Sequence, residues 1–252
     1  MRKIFAIGGG NLATQDTLAI DKKIVEAAKI AKPRVLFIPT ASNDSEEQCK
    51  QFEALYSEGL GCIVDFLFLV KEEPDISEIA QKINTAHIIY AGDGNGLMML
   101  RKWRFTGTDK FLKRAMNSGK VMAGIGAGAL CWFEYGHSDS MSYYQDNKPI
   151  DNEWNFIRVK SLRLVDRFTF CPAYENENRQ ASFQAMIKKM GGIGIGVTSN
   201  CALQIEGNQF RIIRADEEAK VYKIFKTRIK SIQRPILTNG SWQNIGFLRS
   251  KV

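Results

Sequence analysis

The stretch Gly124-Ile-Gly-Ala-Gly-Ala129 has the spacing that bears most plainly on chemistry. Strand-like text, Lys120–Ile125, runs into it, and helical text, Ala127–Phe133, runs out of it. A sharp strand-to-helix turn of this kind lifts its central residue above the edge of a sheet, in a strained positive-φ conformation. The N–H that follows, here that of Ala127, then points at a developing oxyanion. The central residue is Gly126, which has no side chain to attack with. On these six residues alone, an ordinary glycine-rich βα turn or a phosphate cradle is the better reading.

The elements that would hold such a turn alternate along the chain. Lys3–Ile7, Arg34–Ile38, Gly61–Leu69, Ala86–Ala91 and Lys120–Ile125 read as strands. Asp16–Ala31, Ser45–Glu58, Asp75–Asn84 and Asp109–Ser118 read as helices, with Ser45 as a cap. Repeated strand, turn and helix imply right-handed crossovers and a mostly parallel sheet covered on both faces. Sites in such sheets form at the carboxyl ends of strands. Three glycine clusters fall there: Gly8–Gly10, Gly92–Gly96 and Gly124–Gly128. Later text predicts a strand over Leu162–Cys171, a helix over Arg179–Met190, and strands at Ile193–Val197, Ala202–Ile205, Gln209–Arg214 and Lys220–Phe225. Ser142–Trp154 reads as a loop, and turn signals at Gly207-Asn208 and Asn239-Gly240 suggest a closing antiparallel ribbon from about residue 205 to 252. One domain spans residues 1–252 on this reading.

Further stretches carry a resemblance. They are Phe5-Ala-Ile-Gly-Gly-Gly-Asn11, Arg34-Val-Leu-Phe-Ile-Pro-Thr-Ala-Ser-Asn-Asp-Ser45, Ile89-Tyr-Ala-Gly-Asp-Gly-Asn95, Cys171-Pro-Ala-Tyr174 and Asn200-Cys-Ala-Leu203. With the Gly124–Asp139 stretch, they make the chain resemble the peptidase E family of serine peptidases, which includes α-aspartyl dipeptidase and cyanophycinase. The resemblance implies a three-layer α/β sandwich similar to the class I glutamine amidotransferase-like, flavodoxin-like arrangement. It implies a serine where Gly126 stands and a histidine where Ala173 stands. It implies oxyanion N–H groups from Gly94 and Ala127, with Asp93, Asn95 and Gly10 nearby. The acidic partner would be Glu134 or Asp139. Against the family pattern, Asp93 replaces a glycine and Gly96 a threonine. A carboxylate at Asp93 would set negative charge beside the oxyanion donors and oppose a second one.

The remaining candidates for chemistry read as structural. His87 lies inside a strand and suits a packed core histidine, and His137 suits a structural or pocket-wall role. Cys131 falls on the helical text past the turn, with its sulfur away from the tip, while Cys171 sits two residues before Ala173. Buried cysteines in such places are usually inert. Gly8-Gly-Gly-Asn11 lacks the spacing of a dinucleotide loop. Trp132, Phe133, Tyr135, Tyr143, Tyr144 and Trp154 suit packing, with a few able to line a pocket.

Composition limits the classes that remain. Five cysteines at long spacings, with no CxxC pair, argue for free thiols in a reducing compartment. The N-terminal text lacks a signal peptide's apolar run, and no stretch is long and apolar enough to span a membrane. A cytoplasmic protein without cofactor or metal is expected. The net charge of +8 is concentrated after Ala219, where eight Lys or Arg and no Asp or Glu occur. Spread through strand-like text, these residues suit a solvated edge better than a nucleic-acid footprint. The expectation is a peptidase E-like protein that no longer hydrolyses peptides but keeps a pocket for a small peptide or acidic ligand, as a monomer or a homodimer. Two alternatives stay open. One is an active serine hydrolase, working through another nucleophile or in a parent form from which Gly126 and Ala173 were introduced. The other is a basic nucleic-acid-binding protein.

Overall fold

Strand β1 (Lys3–Ile7) is an apolar run in which Ile4, Phe5, Ala6 and Ile7 are all fully buried, so both faces of its sheet must be covered. The computed structural model of the chain describes residues 1–144, 155–228, 230–238 and 240–250. After β1 come α1 (Leu18–Ala28), β2 (Arg34–Ile38), α2 (Glu46–Glu53), β3 (Ile63–Phe66), α3 (Ile76–Thr85), β4 (Ile88–Ala91), α4 (Gly96–Phe105), α5 (Thr108–Asn117) and β5 (Val121–Ile125). The second half contains α6 (Ala127–Leu130), β6 (Phe133–Ser138), β7 (Ile157–Lys160), β8 (Val165–Cys171), α7 (Glu177–Met190) and β9 (Ile193–Val197). It closes with β10 (Cys201–Glu206), β11 (Gln209–Arg214), β12 (Val221–Lys226), β13 (Ser231–Pro235), β14 (Gln243–Asn244) and α8 (Gly246–Arg249).

These strands form two sheets. The larger has the order β14-β11-β10-β1-β5-β4-β2-β3. Its β1, β5, β4, β2 and β3 run parallel, and β10, β11 and β14 add antiparallel pairs. The smaller has the order β13-β12-β9-β8-β6-β7 and is mixed. Alternate residues of the large sheet serve two cores. Phe5, Ile7, Val35 and Phe37 face one that also holds Ile20, Ile24, Phe52, Tyr56 and Tyr90. There Phe52 stacks between Phe37 and Tyr56, with ring centroids 4.1 and 4.2 Å apart. Ile4, Ala6, Leu36 and Ile38 face the other core, which they share with Trp103, Leu112, Phe133, Phe168 and Phe170. Each such side chain, once buried, contributes about 1.5–3 kcal/mol before the entropy of ordering it is subtracted.

The α/β class expected from the alternation of elements holds. The second sheet is the departure from a single mostly parallel one. Helical text at Ala127–Phe133 ends at Leu130, and Phe133 opens β6 instead, where its ring stacks on Phe170 at 4.6 Å. Sheet packing overrides the local pattern here. The helix α4 was not anticipated from the glycine-rich text before it. The ribbon expected after residue 205 divides, with β11 and β14 in the large sheet and β12 and β13 in the small one. Its basic residues partly turn inward. Lys223 is buried and donates to the carbonyls of Phe247 and Ser250, and Arg214 donates to those of Ala219 and Thr238. Residues 145–154 of the expected loop, Trp154 included, and Asn239 of the turn lie outside the described residues.

Candidate active site

The carboxyl ends of β1, β4 and β5 converge on one cleft, and the turn between β5 and α6 forms its floor. Gly126 adopts φ 54°, ψ −114°, a conformation that an L side chain enters only under strain. Its N–H donates to the Ile7 carbonyl at 3.1 Å, which ties the turn to β1. The flanking glycines are required by contact: a β-carbon on Gly124 would lie 2.3 Å from the Gly128 oxygen, and one on Gly128 2.0 Å from the Ala91 oxygen. This backbone is therefore a tight strand-to-helix elbow, as the hexapeptide alone did not require.

The elbow's side chain is replaced in space by another residue. Asp93 Oδ1 accepts hydrogen bonds from the N–H of Gly94 and the N–H of Ala127, each at 2.7 Å. A β-carbon built on Gly126 would fall 2.0 Å from Asp93 Oδ1, 2.2 Å from its Cγ and 2.4 Å from its Oδ2. The carboxylate thus fills the volume a nucleophile would use, and it takes two N–H donors that could otherwise hold an oxyanion. Part of Asp93 faces the open cleft. The protein packed around it nevertheless pushes its pKa up, against the two N–H donors that pull it down, and Asp139 adds to the rise while Arg179 opposes it. Gly94 can donate in this way because its φ is 137°, and any β-carbon there would meet the Ala41 oxygen at 2.2 Å.

Opposite the elbow stands Ala173, at φ 46°. Alanine rarely enters this region, whereas histidine is among the residues enriched there. The Ala173 N–H donates to the Gly8 carbonyl at 2.9 Å, so the first glycine loop fixes this corner. Both residues line a cavity of about 190 Å³ together with Gly10, Asp93, Gly94, Ala127 and Asp139. Of the residues singled out in the sequence, Glu134 and Asn95 are not on it. Glu134 accepts from the Arg167 N–H at 2.7 Å and lies 3.8 Å from the Arg163 side chain, so it serves the turn into β8. Asn95 caps α4 by accepting from the Met98 N–H at 3.0 Å.

Arg179, Tyr143 and Ser199 also line the cavity; Tyr143 is one of the aromatic residues read as able to do so, whereas sequence reasoning did not pick out Arg179 or Ser199. Arg179, largely buried on α7, forms an ion pair with Asp139 and lies over the Phe156 ring. Tyr143 is pushed up to about 12, first by desolvation and then by Asp93 and Asp139. Ser199 donates its hydroxyl to Glu175 at 2.6 Å, and its N–H donates to the same carboxylate at 3.0 Å. Only Tyr143 had a signal in the sequence, as one of the aromatic residues after the elbow that could line a pocket.

The cysteines and histidines lie elsewhere. Cys131 is buried and donates to the Gly128 carbonyl at 2.9 Å, and Cys171 is buried with its sulfur 3.4 Å from His137 Nδ1. Burial pushes both thiols well above their ordinary range, so neither supplies a thiolate. His137 Nε2 lies 3.0 Å from the Ser182 hydroxyl, and burial pushes the ring down to about 3. His87 corrects the expectation of a packed core histidine: it is half-buried just before β4, where it accepts the Arg34 N–H at 2.9 Å. Among the described residues no group of three His, Cys, Asp or Glu side chains is placed to hold a metal, and no helix is long and apolar enough to cross a membrane.

Comparison with known proteins gives the family. The profile of peptidase family S51 matches residues 4–213. The uncharacterized peptidase YgaJ of Bacillus subtilis (strain 168) is 32% identical over 240 residues, covering 94% of this chain and 97% of that protein. The uncharacterized peptidase Lmo0363 of Listeria monocytogenes (serovar 1/2a) is 31% identical over 160 residues, covering 63% of this chain and 74% of that one. Among solved structures, a peptidase from an acI-B1 Actinobacterium superposes with a TM-score of 0.72 at 19% identity, covering 97% of each chain. With an elbow, two oxyanion-type donors and a family profile over most of its length, the chain belongs to peptidase family S51.

Proposed function

We propose that this member of the peptidase family binds a small ligand in the cavity and does not hydrolyse peptides. The observation that carries the reading is the Asp93 carboxylate bound to the N–H groups of Gly94 and Ala127, beside a Gly126 with no nucleophile and an Ala173 with no base. Removal of the nucleophile and base from a serine hydrolase leaves about 10³–10⁴-fold acceleration over water, supplied by the oxyanion hole and substrate binding. Here Asp93 occupies the hole as well, so even that remainder is reduced. A tetrahedral intermediate would have to displace one negative charge in order to place another.

The cavity supports a ligand-binding role. Its volume of about 190 Å³ is that of about six waters at liquid density, which suits a small amino-acid-sized or peptide-like group. We place the protein in the cytoplasm, a reading supported by five buried, unpaired cysteines. A panel of Asp-x dipeptides and chromogenic esters tests the central reading. No turnover above the buffer rate is expected, and steady turnover that survives repurification would overturn it.

A further inference from the structure

Three charged side chains line the cavity among the described residues: Asp93, Asp139 and Arg179. Asp139 and Arg179 are paired with each other. Asp93 has only neutral partners there, the N–H groups of Gly94 and Ala127, both on its Oδ1. Among the described residues the unbalanced charge of the cavity is therefore one negative charge, on the carboxylate at its floor. Leu130, Pro172, Ala173 and the Tyr143 ring give the walls an apolar part, beside the side chains of Ser138 and Ser199. A family fold that would receive an acyl oxygen at this point instead presents an oxygen of its own.

We propose that the cavity is a site for a primary ammonium group on a short aliphatic stem, with the ammonium on the Asp93 carboxylate. This rests on the non-hydrolytic reading above and assigns the class of ligand. It departs from the acidic ligand that the sequence suggested, because an anion would find the two N–H donors taken and a carboxylate in front of it. A cation neutralises the one unpaired charge, and a charge-assisted hydrogen bond is roughly twice as strong as a neutral one. The stem lies against Leu130 and Tyr143, and the cavity volume limits it to about six heavy atoms.

The test uses three five-carbon ligands that differ in the charge of the head group: pentylammonium, 1-pentanol and pentanoate, each titrated by calorimetry at constant chloride and neutral pH. Wild-type protein is expected to bind pentylammonium at least about tenfold more tightly than either of the others. Asp93→Asn keeps the shape and an oxygen for the two N–H groups, and is expected to bring pentylammonium to within about twofold of pentanol. Asp93→Gly frees both N–H donors and is expected to reverse the preference toward pentanoate. Equal or tighter binding of pentanoate by the wild type, an unchanged pentylammonium affinity in Asp93→Asn, or no binding of pentylammonium at tens of millimolar would each overturn the proposal. Circular dichroism and melting confirm that both variants are folded. Turnover of dipeptides would strike the non-hydrolytic reading and leave the charge preference standing. Loss of the charge preference without turnover would strike this proposal alone.

Discussion

Two regions of the molecule divide between them what a hydrolase needs. The cleft at the β5–α6 turn has the backbone: an elbow at Gly126, two converging N–H donors, and a left-handed Ala173 facing them. It lacks a nucleophile and a base. The cluster beneath it has the side chains, since His137 lies 3.0 Å from the Ser182 hydroxyl and 3.4 Å from the Cys171 sulfur. It lacks access. His137 and Cys171 are fully buried, and the imidazole lies between the rings of Phe156 and Phe183 at 4.9 and 5.2 Å. Residue type alone would choose the second region. Geometry chooses the first, because preorganised donors at an open cleft are the part of a catalytic site that depends on the fold.

The comparison breaks first if the buried cluster proves reactive. All five cysteines are buried, and burial pushes Cys49 and Cys62 up to about 11. Cys131, Cys171 and Cys201 sit on or beside core strands. Their alkylation by iodoacetamide is expected to require global opening and to be at least about 10⁴-fold slower than in the unfolded chain. Mass spectrometry of a timed reaction checks it, and fast labelling of Cys171 would make the lower cluster a reactive site.

The second expectation concerns acid. The imidazole of His137 is held down to about 3, mainly by desolvation and secondly by Arg179. The unfolded chain therefore binds a proton near the ordinary histidine value that the folded chain refuses until about pH 3. This contribution to stability is complete above about pH 6.5 and is lost as pH falls toward 3, by on the order of 3–5 kcal/mol. Asp21 acts in the opposite direction. It is buried, accepts from Tyr56 and Thr17, and is raised by desolvation to about 6. The folded chain thus holds a proton that the unfolded carboxylate releases near 4, so its contribution falls as pH rises from about 4 to 6. Asp21→Asn is expected to steepen the loss of stability on acidification, whereas His137→Gln flattens it. Urea melts across pH 4 to 7 measure both slopes, and an unchanged slope in His137→Gln would contradict a neutral buried ring.

The smallest effect sharpens the upper region. Gly126→Ser places a β-carbon about 2 Å from the Asp93 carboxylate and an L side chain at φ 54°. We expect a destabilisation of about 2 kcal/mol from strain and from the displaced hydrogen bonds. Adding Asp93→Gly is expected to return at least about 1 kcal/mol of it, which a double-mutant cycle on thermal melts would show. Additive single effects would mean that the two positions do not share one volume.

The sequence carried the elbow because glycine spacing records backbone crowding, and Gly124 and Gly128 are crowded by backbone in the structure. It also flagged Asp93, because a carboxylate beside oxyanion donors is anomalous by charge alone. It did not separate Asp139 from Glu134. Both follow the elbow closely, and only the pairing of β6 shows that Glu134 turns to Arg167 while Asp139 turns to Arg179. Arg179 itself was illegible as a site residue, since its partner is 40 residues away in the chain. The second sheet was hidden for a similar reason. Phe133 reads as helix locally, and its strand is fixed by Phe170 and the parallel neighbour β8.

The central claim is that Asp93 occupies the place and the donors of the missing chemistry. Labelling by a fluorophosphonate probe tests it most directly, on two variants made side by side: Gly126→Ser with Ala173→His, and the same pair with Asp93→Gly added. We expect the double variant to stay unlabelled and the triple variant to be labelled at position 126, at least about 10²-fold faster. Equal labelling of the two would contradict the claim, because it would show that a nucleophile and an oxyanion fit while the Asp93 carboxylate is present.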